Sequence, residues 1–116
     1  MSDQGEYRVT SSTGGQKNNK LARFDLIPPV ALWALAEHYG RGAQKYEDNN
    51  WTRGYPWSLS VAALHRHLNL YQQGEDLDPE TGTPHIVAVA WHAFALITFR
   101  ETHPEFDDRI PYGDRG

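Results

Sequence analysis

The sequence has no cysteine. That excludes disulfide staples and any thiolate metal site, and it fits a reducing compartment. A long hydrophobic run is missing as well. The longest apolar stretch, Ile86 to Phe99, is broken by His92 and falls short of the ~20 residues a bilayer-spanning helix needs. The first residues lack the basic-then-apolar pattern of a secretory signal, so a cytoplasmic protein without a membrane partner is expected. Positive charge is not in excess: 11 Lys and Arg face 15 Asp and Glu, a formal net charge of −4. This argues against a specific or non-specific nucleic-acid binder. Large size is absent too. A chain of 116 residues is one small domain, and a core that thin is expected to be completed by homo-oligomerisation.

What is present divides the chain into three regions. Residues 1–22, rich in Ser, Thr, Gly, Asn and Lys, read as a flexible N-terminal arm with nothing to bury. Residues 23–103 carry the periodic apolar pattern and read as a helical nucleotide-binding domain, and residues 104–116 read as a polar, frayed tail. A first helix is predicted from Pro28-Pro29, with Leu32, Leu35, Ala36, Tyr39, Ala43 and Tyr46 as its apolar stripe. Gly40 and Gly42 interrupt it at a cost of ~1 kcal/mol each. Either the helix ends or bends there, or a ligand or another helix approaches the backbone. Ser58 suggests the N-cap of a second helix, buried through Val61, Leu64, Leu68 and Tyr71 and stopped at Gly74. Thr83-Pro84 opens a third helix, apolar on almost every side and stopped before Pro104. The predicted fold is all-α: a small bundle of about three main helices with flexible ends.

The chemistry concentrates between Lys45 and Trp91, which holds three of the 4 Trp and six of the 15 acidic residues. Tyr46, Trp51, Tyr55 and Trp57 form an aromatic loop able to stack a base, with Lys45 and Arg53 beside it to neutralise phosphate. Small domains also use such rings as lids over their cores. On the second helix, His65 and His67 point about 100° apart per residue step and cannot share an ion, while Arg66 lies on a polar edge that could reach phosphate or base. Glu75, Asp76, Asp78 and Glu80 form an acidic loop whose alternating carboxylates could converge on Mg²⁺ or Mn²⁺. A solvated turn before a helix is the plain alternative. His85 follows in a helical first turn, where the dipole favours the neutral imidazole. His92 lies in an apolar helix and needs a buried partner.

Several uncommon motifs occur in order: Gly14-Gly15-Gln16-Lys17, the run from Arg23 to Pro28, Tyr39 to Tyr46, Asn50-Trp51, Arg66-His67-Leu68, and Gly74 to His85. Together they resemble a phage-borne family, the dATP/dGTP diphosphohydrolase N-terminal domain, related to the all-helical MazG-like pyrophosphatases. The resemblance implies cleavage of a purine deoxynucleoside triphosphate between its α- and β-phosphates. It also implies Mg²⁺ or Mn²⁺, an oligomer, and a place in the host cytoplasm. MazG-like enzymes hold their ions with E-E-x-x-E and E-x-x-D on helices, patterns this sequence lacks. An ion site would then draw on Glu75, Asp76, Asp78 and Glu80, with Glu80 and His85 as the catalytic candidates. Lys45, Tyr46, Asn50, Trp51, Arg53, Trp57, Arg66 and His67 are the nucleotide-binding candidates. Two other functions stay open: a non-catalytic protein that sequesters a nucleotide, such as a cyclic immune signal, in an anti-defence role, and a small oligomeric structural protein.

Overall fold

A computed structural model describes residues 5–111. By internal contacts the chain forms two units, Met1–Leu32 and Trp33–Gly116.

The first unit corrects the all-helical expectation, because it contains a β-hairpin. Strands β1 (Tyr7–Thr10) and β2 (Gln16–Asn19) pair antiparallel, with Tyr7 opposite Asn19 and Thr10 opposite Gln16. No apolar alternation marks these strands in the sequence, since neither buries a residue. Turn chemistry holds it instead. Gly14 adopts φ +89°, a conformation that costs glycine little. The Ser11 amide donates to the Gly15 carbonyl at 2.7 Å, and the Gly15 amide donates back to Ser11 Oγ at 3.0 Å. A 3-10 turn at Phe24–Leu26 follows, where Arg23 forks onto Asp25 at 2.8 and 2.6 Å.

Helix α1 (Pro29–Lys45) begins with proline in its first turn, as predicted, and runs through Gly40 and Gly42 without ending. Its one buried residue is Leu35.

In the second unit, α2 (Trp57–Gln72) and α3 (His85–Thr102) pack against each other. The core consists of Trp57, Ala95 and Phe99, with Trp51, Tyr55, Trp91, Leu96 and Phe106 against it. Alanine at position 95, wholly buried, lets the two helices approach closely.

Two features of α2 differ from the periodicity reading. Pro56, not Ser58, occupies the N-cap, and the free amide of Ser58 is met from a distance by the Asp108 carboxylate at 2.9 Å. Second, the buried residues are Trp57, Ser60 and His67, whereas Leu68 and Tyr71 are 39% and 41% exposed. The α2–α3 seam is polar at its centre, so apolar spacing selected the neighbouring stripe.

Gly74, at φ +96°, ends α2 and lets the Glu75 amide reach the Leu70 carbonyl at 3.1 Å. The acidic loop then closes on itself through a bridge between Leu77 and Pro84 and an Asp78 amide bond to the Thr83 carbonyl at 2.8 Å. Residues after α3 also pack. A 3-10 turn at Pro104–Phe106 lies on the core, and the Trp57 indole donates to the His103 carbonyl at 3.2 Å. Among the described residues no helix is long and apolar enough to cross a membrane.

Candidate functional site

A cavity of about 860 Å³ opens between the second half of α1, the loop 47–55 and the middle of α3. The loop reaches this place by a sharp turn at Asn49, which sits in the left-handed region at φ 60°. Asparagine tolerates that conformation better than most residues. The Asn49 carbonyl then accepts from the Thr52 amide at 3.0 Å, winding a 3-10 turn over Asn50–Arg53.

That turn carries Trp51 into an aromatic wall. Trp51 lies 6.2 Å from Tyr39, 5.8 Å edge-on from Trp91 and 5.9 Å from the core ring of Phe99, centroid to centroid. Tyr46, Asn50, Trp51 and Arg53 all line the cavity, and Arg53 pairs with Glu47 at its mouth. Burial raises the pKa of Tyr39 and Tyr55, so both lining phenols stay protonated donors.

Histidines form the deep end. His38 lines the cavity 6.2 Å from Trp91, and His92 lies against Trp91 at 4.9 Å. His92 has the buried partner its position demands: its Nδ1 is 2.9 Å from Ser60 Oγ, which in turn is 2.6 Å from the Tyr55 hydroxyl. Burial, followed by the neighbouring His67, His38 and Arg66, lowers the His92 pKa to about 4. The His38 pKa is lowered by burial, then by Arg41 and His67. Four imidazoles thus run from the cavity toward the acidic loop, since His92 stacks on His67 at 6.1 Å and His67 meets His85 at 5.1 Å.

At the loop end, His67, Asp78 and His85 each offer a ligand atom, all within 4.8 Å of one another. The folded loop makes this possible. Asp78 is fixed by the Glu80 amide, which donates to its Oδ1 at 2.9 Å, and the His85 amide donates to the Asp76 carbonyl at 2.9 Å. Glu75 accepts from His85 Nε2 at 2.7 Å. A neutral His85 therefore carries its lone pair on Nδ1, which faces His67 Nδ1 at 2.8 Å. Burial, then Arg66 and His85, lowers the His67 pKa, which keeps that ring neutral and able to ligate. The set is two imidazole nitrogens and one carboxylate oxygen, with a second carboxylate orienting one imidazole. Such donors suit a first-row transition ion such as Mn²⁺ better than Mg²⁺, which prefers oxygen alone.

The structure thus sorts the predicted residues into three places. Tyr46, Asn50, Trp51 and Arg53 meet at the cavity. Arg66, His67, Asp78, His85 and Glu75 meet at the loop, where an Arg66 nitrogen lies 3.4 Å from His67 Nε2. Lys45 lies over the Tyr46 ring at 5.3 Å, outside the lining, and the side chains of Asp76 and Glu80 are exposed and outside the trio. Trp57 does not line the cavity; it is 5% exposed in the core. Of the cavity histidines, His38 was passed over in the sequence, and His92 was read there only as a core histidine in need of a buried partner. One signal for His38 was available, a polar residue three positions after the buried Leu35 on the apolar side of α1.

A mostly helical domain thus sets an aromatic cavity beside a histidine–carboxylate trio, offering ring surfaces and candidate metal ligands side by side. The model of the family described as dATP/dGTP diphosphohydrolase, N-terminal, matches residues 11–109, and the chain belongs to that family. No curated protein and no solved structure matches the chain.

Proposed function

We propose that the protein is a metal-dependent pyrophosphohydrolase of purine deoxynucleoside triphosphates, acting in the cytoplasm of a phage-infected cell as a homo-oligomer. One observation carries this reading: the aromatic cavity and the His67–Asp78–His85 trio adjoin, joined by the stacked pair His92 and His67. A base among Trp51, Tyr39 and Tyr46 would extend its phosphates toward Arg66 and the trio.

His67, Asp78 and His85 would hold the ion, with Glu75 fixing the tautomer of His85. When bound, a divalent ion there supplies a polarised water and neutralises charge growing on the phosphates. Arg66, at 3.4 Å from His67, adds a cation on the same side. The exposed carboxylate of Glu80, in the loop that holds Asp78, is the group available to accept a water proton. The reaction breaks the bond between the α-phosphorus and its bridging oxygen, adds water oxygen to phosphorus, and releases monophosphate and pyrophosphate.

A second reading, capture of a nucleotide without cleavage, is favoured by the hydrogen-bond chain itself. Arg66 to His67 to His85 to Glu75 closes with every nitrogen paired and needs no ion. Incubating the protein with dGTP and Mn²⁺, followed by ion-exchange chromatography, separates the two. Monophosphate plus pyrophosphate is the expected product. Intact dGTP, recovered after heating from a protein that had depleted it, would establish capture instead.

A further inference from the structure

His38 is the residue in the cavity whose polar atoms the fold leaves unanswered. Its Nδ1 is buried and has no hydrogen-bond partner. No described interaction reaches its Nε2, which is not among the buried atoms. A buried N–H without an acceptor is costlier than a buried bare nitrogen, so the proton belongs on Nε2. His38 therefore lines the cavity with an Nε2–H that no protein group occupies.

The same wall of α1 carries a second anomaly. Gly42, one turn from His38, lies in the last turn of α1, and glycine is a poorer helix former than alanine. No packing explains it, because a Cβ built there meets nothing within 4 Å. Gly42 is one of the residues that line the cavity. A residue that weakens its helix and guards empty space fits a position kept clear for a ligand.

We propose that this wall reads the base: Nε2–H of His38 donates to N7, a ring nitrogen that adenine and guanine share, while Gly42 leaves room for the ring. Adenine and guanine differ in their exocyclic groups, but both present the N7 acceptor, and a pyrimidine has no N7. One donor on a wall without a side chain can thus accept both purines and discriminate against pyrimidines. This inference rests on the nucleotide reading above and assigns its base specificity.

The test is equilibrium binding, by calorimetry with Ca²⁺ in place of a catalytic ion, to the full chain. Wild type is expected to prefer dATP and dGTP over dCTP and dTTP. It should bind the 7-deaza analogue of dGTP about 10-fold more weakly than dGTP, the scale of one lost hydrogen bond in a site built for it. His38→Phe should bind dGTP about 10-fold more weakly and no longer distinguish it from the deaza analogue. Its melting temperature without ligand should be unchanged or higher, because an orphaned nitrogen has been removed. Gly42→Ala should melt no lower than wild type without ligand and bind dGTP more weakly. A purely structural role for either residue predicts the reverse on melting. If wild type ignores the 7-deaza change, or binds all four triphosphates alike, the base-reading assignment falls and the nucleotide reading stands. If wild type binds none of them, both fall.

Discussion

The Nδ1 atoms of His67 and His85 lie 2.8 Å apart and can share a proton or share an ion, and adding Mn²⁺ decides between these. A ligand that binds only the folded state raises stability by RT ln(1 + [L]/Kd), ~2.7 kcal/mol at a hundredfold excess over Kd. Mn²⁺ should therefore raise the melting temperature of the wild type by several degrees and leave Asp78→Asn and His85→Ala unmoved. Glu75→Gln should keep binding but weaken it ~10-fold or more, the usual cost of losing a partner that orients a ligand. Thermal shift against Mn²⁺ concentration checks all three. At this scale the acidic loop and His85 were legible in the sequence, because carboxylates before a helix start are a local pattern. The joining of Asp78 to His67 was not, since it depends on the loop folding back through Leu77 and Pro84. His92 carries its own prediction. Unfolded, its ring binds a proton near pH 6.5; folded, only near pH 4. The unfolded state thus holds more protons between those values, and stability is full above pH 6.5 and falls as pH drops toward 4. After discounting for the accessible part of the ring, the loss should be roughly 1–2 kcal/mol. His38 and His67, also lowered, add to it with the same sign. Urea unfolding across that range should show the slope in wild type and a shallower one in His92→Gln.

Among elements, the start of α2 is fixed by residues fifty positions away, which is why its cap could not be read locally. Ser58 looks like an N-cap by type, yet the cap falls two residues earlier at Pro56 and the Ser58 amide is met by Asp108. Arg109 covers the adjacent Trp57 ring at 4.9 Å. Helix termini and the apolar run of α3 were legible to within a residue or two, because proline and glycine punctuate locally. The α2–α3 seam was not, since Ser60 and His67 are buried only by virtue of His92 and His85 on the facing helix. Two changes test this arrangement. Asp108→Ala should destabilise the protein at neutral pH. Its Ser58 hydrogen bonds hold the Asp108 pKa below the ordinary carboxylate value, so the stabilisation is present above that value. It disappears as pH falls through the folded pKa, where mutant and wild type should melt alike. Gly54→Ala should cost at least ~1 kcal/mol. Its φ is +86°, and a Cβ there would lie 2.8 Å from His103, prising the aromatic loop from the turn after α3. Circular dichroism melts measure both.

For the molecule as a whole, the question is whether one copy buries enough to stand alone. Among the described residues the buried apolar side chains are Leu35, Trp57, Ala88, Ala95 and Phe99, a core of the size that small domains usually supplement by association. Meanwhile α3 keeps Ile86, Phe94 and Ile97 at 42%, 46% and 62% exposure, spaced eight and three residues apart on one side of the helix. On α1, Trp33 is 71% exposed. Large apolar groups aligned on one helical side mark a surface meant to be covered. A second copy is the cover always present at the protein's own concentration, and like faces satisfy each other around a two-fold axis. The protein should therefore sediment as a dimer or larger species at micromolar concentration, with a melting temperature that rises with concentration. Ile97→Glu should shift the distribution toward monomer and remove that concentration dependence, because a carboxylate stays in water at little cost on a free surface but not in an apolar interface. The α2–α3 seam and the His67–Asp78–His85 trio face the other partners within the copy, so the monomeric variant should still bind Mn²⁺. Sedimentation velocity and thermal shift on the same samples give both answers. A wild type that remains monomeric at high concentration would assign the exposed side of α3 to some other use.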